Sequence, residues 1–227
     1  MPGMNLARLL GQLAVATAAA VVITALTIAP FLSPAWVAFE QDRAAAALWT
    51  GFAPGDLRSV TDAILHDLVI GPPAFDVALD GAPVLKPSER AHMQDVRGVF
   101  AGFYLVACGG GVLLAGAALL TRRSPGNRAV IWRAIRHGTR WLAATLVVVG
   151  ALMAVAFDAV FEVFHRLFFK VGTYDFDPRT DRLVQLFPDQ FWSETAMVVG
   201  AVIVIVAVAV AAVAGRRARR LGEVGAA

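Results

Sequence analysis

Cysteine and lysine are scarce in this sequence. Of its 227 residues, only Cys108 is a cysteine, and only Lys86 and Lys170 are lysines. Because one cysteine cannot form a disulfide within the chain, packing alone holds any folded segment outside a membrane. The sequence also has no Gly-x-Ser-x-Gly elbow, no His-Glu-x-x-His and no P-loop. Any catalysis therefore rests on histidine and carboxylates, with Tyr174 or backbone amides as candidates for stabilising an oxyanion.

Charge is absent from four long runs, which begin at Leu9, Gly98, Trp141 and Thr195. Each run holds most or all of a helix of about 17–25 residues, the length that crosses a hydrocarbon core of roughly 30 Å. The mean hydropathy of +0.67 also lies outside the usual range of soluble proteins. Because only a fully hydrogen-bonded backbone is stable in lipid, the runs predict four membrane-spanning helices, at about 9–33, 98–121, 141–164 and 195–215.

Basic and acidic residues are divided unequally between the two sides of such a protein. One side carries 11 basic residues and one acid, with Arg8 before the first run, six arginines in a predicted loop from Arg122 to Arg140 and four after Gly215. The other side carries 9 basic residues and 16 acids. The positive-inside rule makes the first side cytoplasmic, so both termini are predicted inside and two loops outside, at about 34–97 and 165–194. The basic composition thus reflects topology and not nucleic-acid binding.

The outer loops contain patterns of local structure. In APGDLRSVTDAILHDLVIG, apolar residues at helical spacing from Leu57 to Leu68 predict an amphipathic helix. Asp80-Gly81 between alternating residues predicts a short hairpin, and Ser88 is the expected cap of a helix that continues into the second span. We therefore expect an all-α membrane protein, one domain over residues 1–227, with a structured extracytoplasmic cap from the two outer loops.

Ionisable residues mark the outer end of the third span. Asp158, Glu162 and His165 follow one another at i, i+4 and i+7, so they share one helix face. Such groups are costly near the membrane and usually face the bundle interior or a wet cavity. A histidine flanked by carboxylates suits a general base. The alternative interpretation is an interfacial cluster that marks where the helix meets water.

A second cluster precedes the second span. Glu89, His92 and Asp95 occur at three-residue steps in ERAHMQDVR, and Arg97 closes the segment at headgroup level. Taken alone, this pattern is also typical of a solvated amphipathic turn. The two clusters are predicted at the outer ends of neighbouring antiparallel helices, so both histidines and several carboxylates converge on one pocket.

Two motifs carry a resemblance to a known family. They are HMQDVR at His92–Arg97 and FHRLFF at Phe164–Phe169, the latter followed by FDPRTDRLVQLFPDQFW; a weaker match is GFAPGDL at Gly51–Leu57. With these motifs in this order, the chain resembles the bacterial four-helix membrane proteins that include the lipoprotein intramolecular transacylases. The resemblance covers essentially the whole chain. One departure is that Val171-Gly172 stand where the familiar transacylases carry an Asn-Asp pair.

The resemblance implies a reaction and a place for it. The sn-2 acyl chain of a diacylglyceryl-modified lipoprotein moves to the α-amine of the N-terminal Cys, at the extracytoplasmic side of the bacterial plasma membrane. It implies His92 and His165 as the catalytic pair, one acting on the amine and the other on the ester or the departing glycerol oxygen. No metal or other cofactor is needed, and the partners are such lipoproteins and membrane phospholipid.

Other residues are implied in supporting roles. Asp95, Asp158 and Glu162 would orient the imidazoles, and Arg97 and Arg166 would meet backbone carbonyls or the glycerol region. Glu89 and Tyr174 complete this expected set of supporting residues.

Three other functions fit the same residues. The chain is also consistent with a non-catalytic membrane protein that presents its outer loops to a partner. It is consistent with an acyltransferase or hydrolase for another membrane lipid. A zinc enzyme would use mixed nitrogen and oxygen ligands, namely Glu89, His92, Asp158 and His165.

Overall fold

The computed structural model describes residues 6–224, and helices dominate them. Four helices are long and apolar enough to cross a membrane, which confirms the predicted number of spans. The longest, α6, contains one non-helical residue, Ala156, at which the helix is kinked. The four helices are α1 (Leu6–Ile28), α5 (Pro87–Thr121), α6 (Pro125–Phe168) and α8 (Asp189–Val224).

The bounds of these helices differ from the uncharged runs. The segment 122–140, predicted as a loop, is helical from Pro125 onward as the beginning of α6. The reason is local, because proline is favoured at the first helical position and Ser124 Oγ accepts a hydrogen bond from Asn127 N at 3.4 Å. Arginine is also a good helix former. The first span, predicted at about 9–33, covers Leu6–Leu32, and its last four residues, Ala29–Leu32, form a 3₁₀ helix that contains Pro30.

Shorter elements connect the long helices. Between α1 and α5, three helices are followed by a two-stranded antiparallel hairpin in which Ala78 pairs with Pro83 and Leu79 with Ala82. The hairpin turns at Asp80-Gly81, both with positive φ, as predicted. The predicted amphipathic helix is also present, as α4. These elements are α2 (Pro34–Arg43), α3 (Ala46–Thr50), α4 (Pro54–Val69), β1 (Ala78–Leu79) and β2 (Ala82–Pro83), with α7 (Arg182–Leu186) between α6 and α8.

By their internal contacts the described residues divide into two compact units. We call residues 28–102 and 151–199 the histidine unit, and residues 6–27, 103–150 and 200–224 the arginine unit. The histidine unit is built on a core of large apolar side chains from α4, the hairpin region and α7. Members of this core include Ile64, Phe75, Leu85, Leu186 and Phe187.

The arginine unit is built by close approach of helices. A Cβ at Gly138 of α6 would lie 2.2 Å from the carbonyl oxygen of Ala16 in α1, so only glycine fits there. A Cβ at Gly110 of α5 would lie 3.3 Å from Val22 of α1. Small residues that let backbones approach are typical of helix packing in membranes. Large apolar side chains such as Leu120 and Trp141 are exposed, as expected of surfaces that contact lipid.

Candidate functional site: a buried histidine pair

The structure brings together the two histidines of the motifs. His92 lies in the second turn of α5 and His165 in the last turn of α6, both in the histidine unit. Their rings stack at an interplanar angle of 21°, with centroids 6.1 Å apart. Both are buried, with 7% of His92 and 9% of His165 exposed. Two imidazoles withdrawn from water side by side form a site that can exchange protons with a bound substrate.

One hydrogen bond determines which nitrogen of His165 carries a proton. Its Nδ1 lies 2.8 Å from the carbonyl oxygen of Phe161, one turn earlier in α6. A carbonyl oxygen only accepts hydrogen bonds, so Nδ1–H is the donor. In the neutral imidazole the lone pair is therefore on Nε2, which is the nitrogen able to take up a proton.

Aromatic rings surround the pair. Phe169, at the end of the FHRLFF motif, packs against both imidazoles, with its ring centroid 4.9 Å from that of His92 and 5.5 Å from that of His165. Phe176 lies 5.5 Å from His92, and Tyr174 lies 4.9 Å from His165. This wall excludes water and strengthens electrostatic interactions within the site. The sequence signal for it was the density of aromatic residues from Phe161 to Phe176, which we did not interpret as lining.

His92 retains unused hydrogen-bonding capacity. Its Nδ1 is buried and makes no hydrogen bond with any residue of the described chain, 6–224. Buried polar atoms are normally paired, because an unpaired one costs about 1–3 kcal/mol. This buried, unpaired nitrogen can therefore form a hydrogen bond with a bound molecule.

Glu89 lies one turn before His92 and is fully buried. Its Oε2 accepts a hydrogen bond from the backbone N–H of Lys86 at 2.7 Å, and its Oε1 accepts one from Leu183 N at 2.5 Å. The Glu89 carboxylate thus caps the N-terminus of α5. The prediction that Ser88 is the cap was wrong, because α5 already begins at Pro87. Glu89 also ties the start of α7 to the helix that carries His92.

Arg97 points to the end of α4 and the residues that follow it. Its guanidinium donates to the carbonyl oxygens of Asp67 and Gly71, the latter at 2.5 Å. Two of its donors are therefore used in holding a backbone turn. Arg97 was expected to contact either backbone carbonyls or the glycerol region of a substrate, and in the structure it contacts backbone carbonyls.

Glu162, Arg166 and Tyr174 form a small network beside His165. Arg166 Nε donates to Glu162 Oε1 at 2.6 Å, and the Tyr174 hydroxyl donates to the same oxygen at 3.3 Å. Desolvation, followed by the neighbouring Glu162 carboxylate, raises the pKa of Tyr174 above its ordinary value. The phenol therefore keeps its proton at neutral pH and remains a donor.

The carboxylates expected to orient the imidazoles do not contact them. The side chains of Asp95 and Asp158 are exposed and form no hydrogen bond or ion pair within residues 6–224, and Glu162 binds Arg166 and Tyr174. The physical reason is that a carboxylate keeps its solvation at an exposed position. A backbone carbonyl, which has two lone pairs, instead accepts the proton of His165 Nδ1.

The four residues of the zinc-site hypothesis do not form a group of metal ligands in the described structure. In the part of the chain that the structure describes, no group of three or more His, Cys, Asp or Glu side chains is arranged to hold a metal ion. Glu89 is bound to backbone amides, and Asp158 is exposed.

The sequence of residues 13–192 matches the family described as lipoprotein intramolecular transacylase Lit. This chain belongs to the Lit family. The match includes both histidine motifs and confirms the family resemblance. The Lit family is one of membrane acyltransferases, so the chain is an acyltransferase of that kind.

Solved structures share the fold of this Lit-family chain. The membrane-integral lipoprotein intramolecular transacylase Lit from Bacillus cereus has a TM-score of 0.71 at 19% identity, covering 96% of each chain. A variant of it with one histidine replaced by arginine has a TM-score of 0.65 at 18% identity, covering 96% of this chain and 92% of the other. A variant with histidine replaced by alanine has a TM-score of 0.61 at 19% identity, covering 94% of each. Among curated proteins, no match to the sequence was found.

Proposed function

We propose that this chain is an intramolecular transacylase of bacterial lipoproteins that uses His165 and His92 as its catalytic pair. The substrate is a lipoprotein whose N-terminal Cys carries a diacylglyceryl thioether and a free α-amine. The sn-2 acyl chain moves to that amine and leaves a lyso lipid. One observation carries the assignment of residues, namely a buried pair of stacked imidazoles of which one is held in a single tautomer.

The reaction is balanced within one substrate molecule. The amine nitrogen attacks the ester carbonyl carbon, a C–N bond forms and the C–O bond to the glycerol breaks. The amine loses one proton and the glycerol oxygen gains one. Because amine and ester belong to the same molecule, orientation replaces a bimolecular encounter and lowers the barrier. Proton transfer at two positions is the remaining chemical task.

His165 is the general base in this proposal. Its Nδ1–H is donated to the Phe161 carbonyl, so Nε2 has the lone pair that accepts the proton of the attacking amine. The same hydrogen bond fixes the orientation of the ring. The protonated imidazole keeps its Nδ1–H bond, so the site does not rearrange during the transfer.

His92 acts on the ester. Its buried Nδ1 has no hydrogen-bond partner among the described residues, so it can form a hydrogen bond with the ester carbonyl oxygen or with the departing glycerol oxygen. The Arg166 guanidinium, which binds Glu162 through Nε, has further N–H donors and is a candidate to stabilise negative charge on the carbonyl oxygen. Phe169 and Phe176 keep water from competing with the amine.

The proposal also includes the orientation of the protein in the membrane. We place the histidine unit at the extracytoplasmic side of the plasma membrane, with both termini in the cytoplasm. The support is the distribution of charge, because 11 basic residues and one acid belong to the predicted inner segments. Diacylglyceryl lipoproteins present their N-termini at the outer surface, where this orientation puts the imidazoles.

The test is mass spectrometry of the N-terminal lipopeptide of one reporter lipoprotein. The host makes diacylglyceryl lipoproteins with free amines, and cells with and without this gene are compared. Expression of the chain is expected to leave the total acyl mass unchanged and to give fragments with an N-linked acyl chain. His165→Ala and His92→Ala should abolish the product while the protein still accumulates in the membrane.

His66→Ala is the matched control, because His66 lies on α4 in the same unit and its side chain is 55% exposed. It should leave the product unchanged. An unaltered lipopeptide in cells with well-expressed protein would refute the proposed substrate. Full activity of either catalytic variant would remove that histidine from the mechanism.

A further inference from the structure

A cavity with two arginines lies in the arginine unit, away in sequence from the acyl-transfer residues. It has a volume of about 390 Å³ and lies between α6 and α8. We call it the basic cavity. It is lined by Arg136, Arg140 and Ala143 of α6 and by Val208, Ala211 and Ala212 of α8.

The arginines of this cavity have no counter-charge within the described chain. Neither Arg136 nor Arg140 forms an ion pair among residues 6–224. The sole acid among the described residues of the arginine unit is Glu223. The next turns of α8 place Arg216, Arg217 and Arg220 around a second cavity of about 220 Å³. The positive charge is therefore balanced from outside the protein.

The position of Arg136 is set by packing. Its side chain lies against α8, where a Cβ at Gly215 would be 3.4 Å from both Cδ and Nε of the arginine. Arg136 is half-buried and Arg140 is exposed, so packing against α8 restricts the side chain of Arg136 at the edge of the cavity. A guanidinium fixed in this way binds phosphate oxygens through two parallel N–H donors.

The rest of the lining is apolar. Ala143, Val208, Ala211 and Ala212 belong to uncharged runs that are predicted to cross the membrane. A free anion would use the arginines and leave this wall uncovered. A molecule with a phosphate next to hydrocarbon covers both parts.

We propose that the basic cavity binds an anionic phospholipid, with its phosphate on Arg136 and Arg140 and an acyl chain along the alanine and valine wall. Basic pockets between membrane helices bind anionic head groups on the same principle. The proposal concerns residues that take no part in the proposed acyl transfer, and it stands or fails independently of it.

The test uses the full chain, purified in a neutral detergent and mixed with phosphatidylglycerol or phosphatidylcholine. Native mass spectrometry counts the lipid that remains bound. We expect preferential retention of phosphatidylglycerol. The double variant Arg136→Gln/Arg140→Gln should bind it about 30-fold more weakly, because each basic residue near an anionic lipid contributes about fivefold.

The matched control is Arg122→Gln/Arg123→Gln, which removes the same charge from residues that do not line the cavity. It should retain the lipid. Ala212→Phe fills the apolar wall without changing charge and is expected to lose the lipid as well, so the test does not depend on the folding of one variant. Equal loss in both arginine variants, equal binding of phosphatidylcholine, unchanged binding by Ala212→Phe, or displacement by inorganic phosphate would each overturn the proposal.

Discussion

The histidine unit and the arginine unit are stabilised in different ways. The ion pairs that the structure describes all lie in the histidine unit, for example Lys86 with Asp181 and Arg90 with Asp76. The buried apolar residues of that unit include large side chains, such as Phe75, Ile64 and Phe187. Those of the arginine unit are nearly all alanines, with Val15 and Ile203 as exceptions.

This difference reflects the solvent for which each unit is built. Burial of large apolar side chains is a strong driving force when the alternative is exposure to water. Between helices in lipid that force is absent, and close packing of small residues replaces it. The ion pairs of the histidine unit neutralise part of its charge within the protein. The unpaired arginines of the other unit remain available to outside anions.

The largest effect is expected for the proposed catalytic pair, His92 and His165. His165→Ala should lower the rate of acyl transfer by about 10²–10⁴-fold, the usual contribution of a general base. Added imidazole should restore part of the rate, because it supplies a proton acceptor in the space left by the side chain. The measurement is the initial rate of N-acyl product formation with purified protein and a synthetic diacylglyceryl lipopeptide.

His137→Ala tests the contrast between the units, since His137 lies in the arginine unit and is exposed. It should keep the wild-type rate. A loss comparable to that of His165→Ala would mean that the chemistry is not confined to the histidine unit.

The next effect concerns Glu89, whose carboxylate accepts two backbone N–H groups in a fully buried position. Glu89→Ala leaves both donors unpaired, at about 1–3 kcal/mol each. We therefore expect the free energy of unfolding to fall by about 3 kcal/mol, together with faster proteolysis of the segment around Leu183. Asp95→Ala, at an exposed side chain of the same helix that forms no hydrogen bond or ion pair among the described residues, should change neither.

A smaller loss is expected in the arginine unit. Gly138→Ala places a Cβ 2.2 Å from the backbone oxygen of Ala16, and backbone cannot move aside as a flexible side chain does. Overpacking of this kind costs about 1–3 kcal/mol, to be measured as a lower midpoint of thermal unfolding in detergent. Gly150→Ala, on the same helix with nothing within 4 Å of the added atom, should cause no loss. Equal midpoints for the two variants would contradict the close approach of α1 and α6.

The smallest effect is a pH dependence that arises at Glu40 of α2, which is buried except for 2% of its surface. Desolvation and then the neighbouring Glu194 raise the pKa of Glu40 above its ordinary value of 4.5, while Arg43 opposes the shift. A raised pKa favours the protonated form in the folded state. This stabilisation is complete below the ordinary pKa and is lost as pH rises through the raised one.

Glu40→Gln mimics the protonated form at every pH. It should therefore unfold at a higher temperature than wild type at pH 8, and the difference should disappear toward pH 4. A difference that grows as pH falls would reverse the assigned direction of the pKa shift.

The sequence was sufficient for the features that depend on pattern. Uncharged runs predicted four spans because lipid excludes charge, and the spacing of the apolar residues Leu57, Val60 and Ile64 predicted α4 because one of its faces is buried. The proximity of His92 and His165 also followed from pattern. His92 comes just before the second predicted span and His165 at the end of the third, so both are predicted on the same side of the membrane.

Features that depend on individual backbone atoms were not predictable in this way. The partner of His165 is a carbonyl, which every residue has, so nothing in the sequence distinguishes Phe161 as the acceptor. The second partner of Glu89, the amide of Leu183, depends on the tertiary fold. The continuation of α6 into the arginine-rich segment was missed because charge was treated as a sign of a loop, whereas arginine favours helix.

The tie between Glu89 and Leu183 has a consequence for biogenesis. The two residues are 94 positions apart, and the helix with His92 is synthesised well before the amide that completes its environment. Segments synthesised first generally fold first, but here the surroundings of the histidine remain incomplete until α7 emerges. His165 and its aromatic neighbours are likewise synthesised after His92, although before α7. A translation product that stops short of α7 therefore lacks the amide that Glu89 binds, so the surroundings of His92 are completed only after most of the chain has been made.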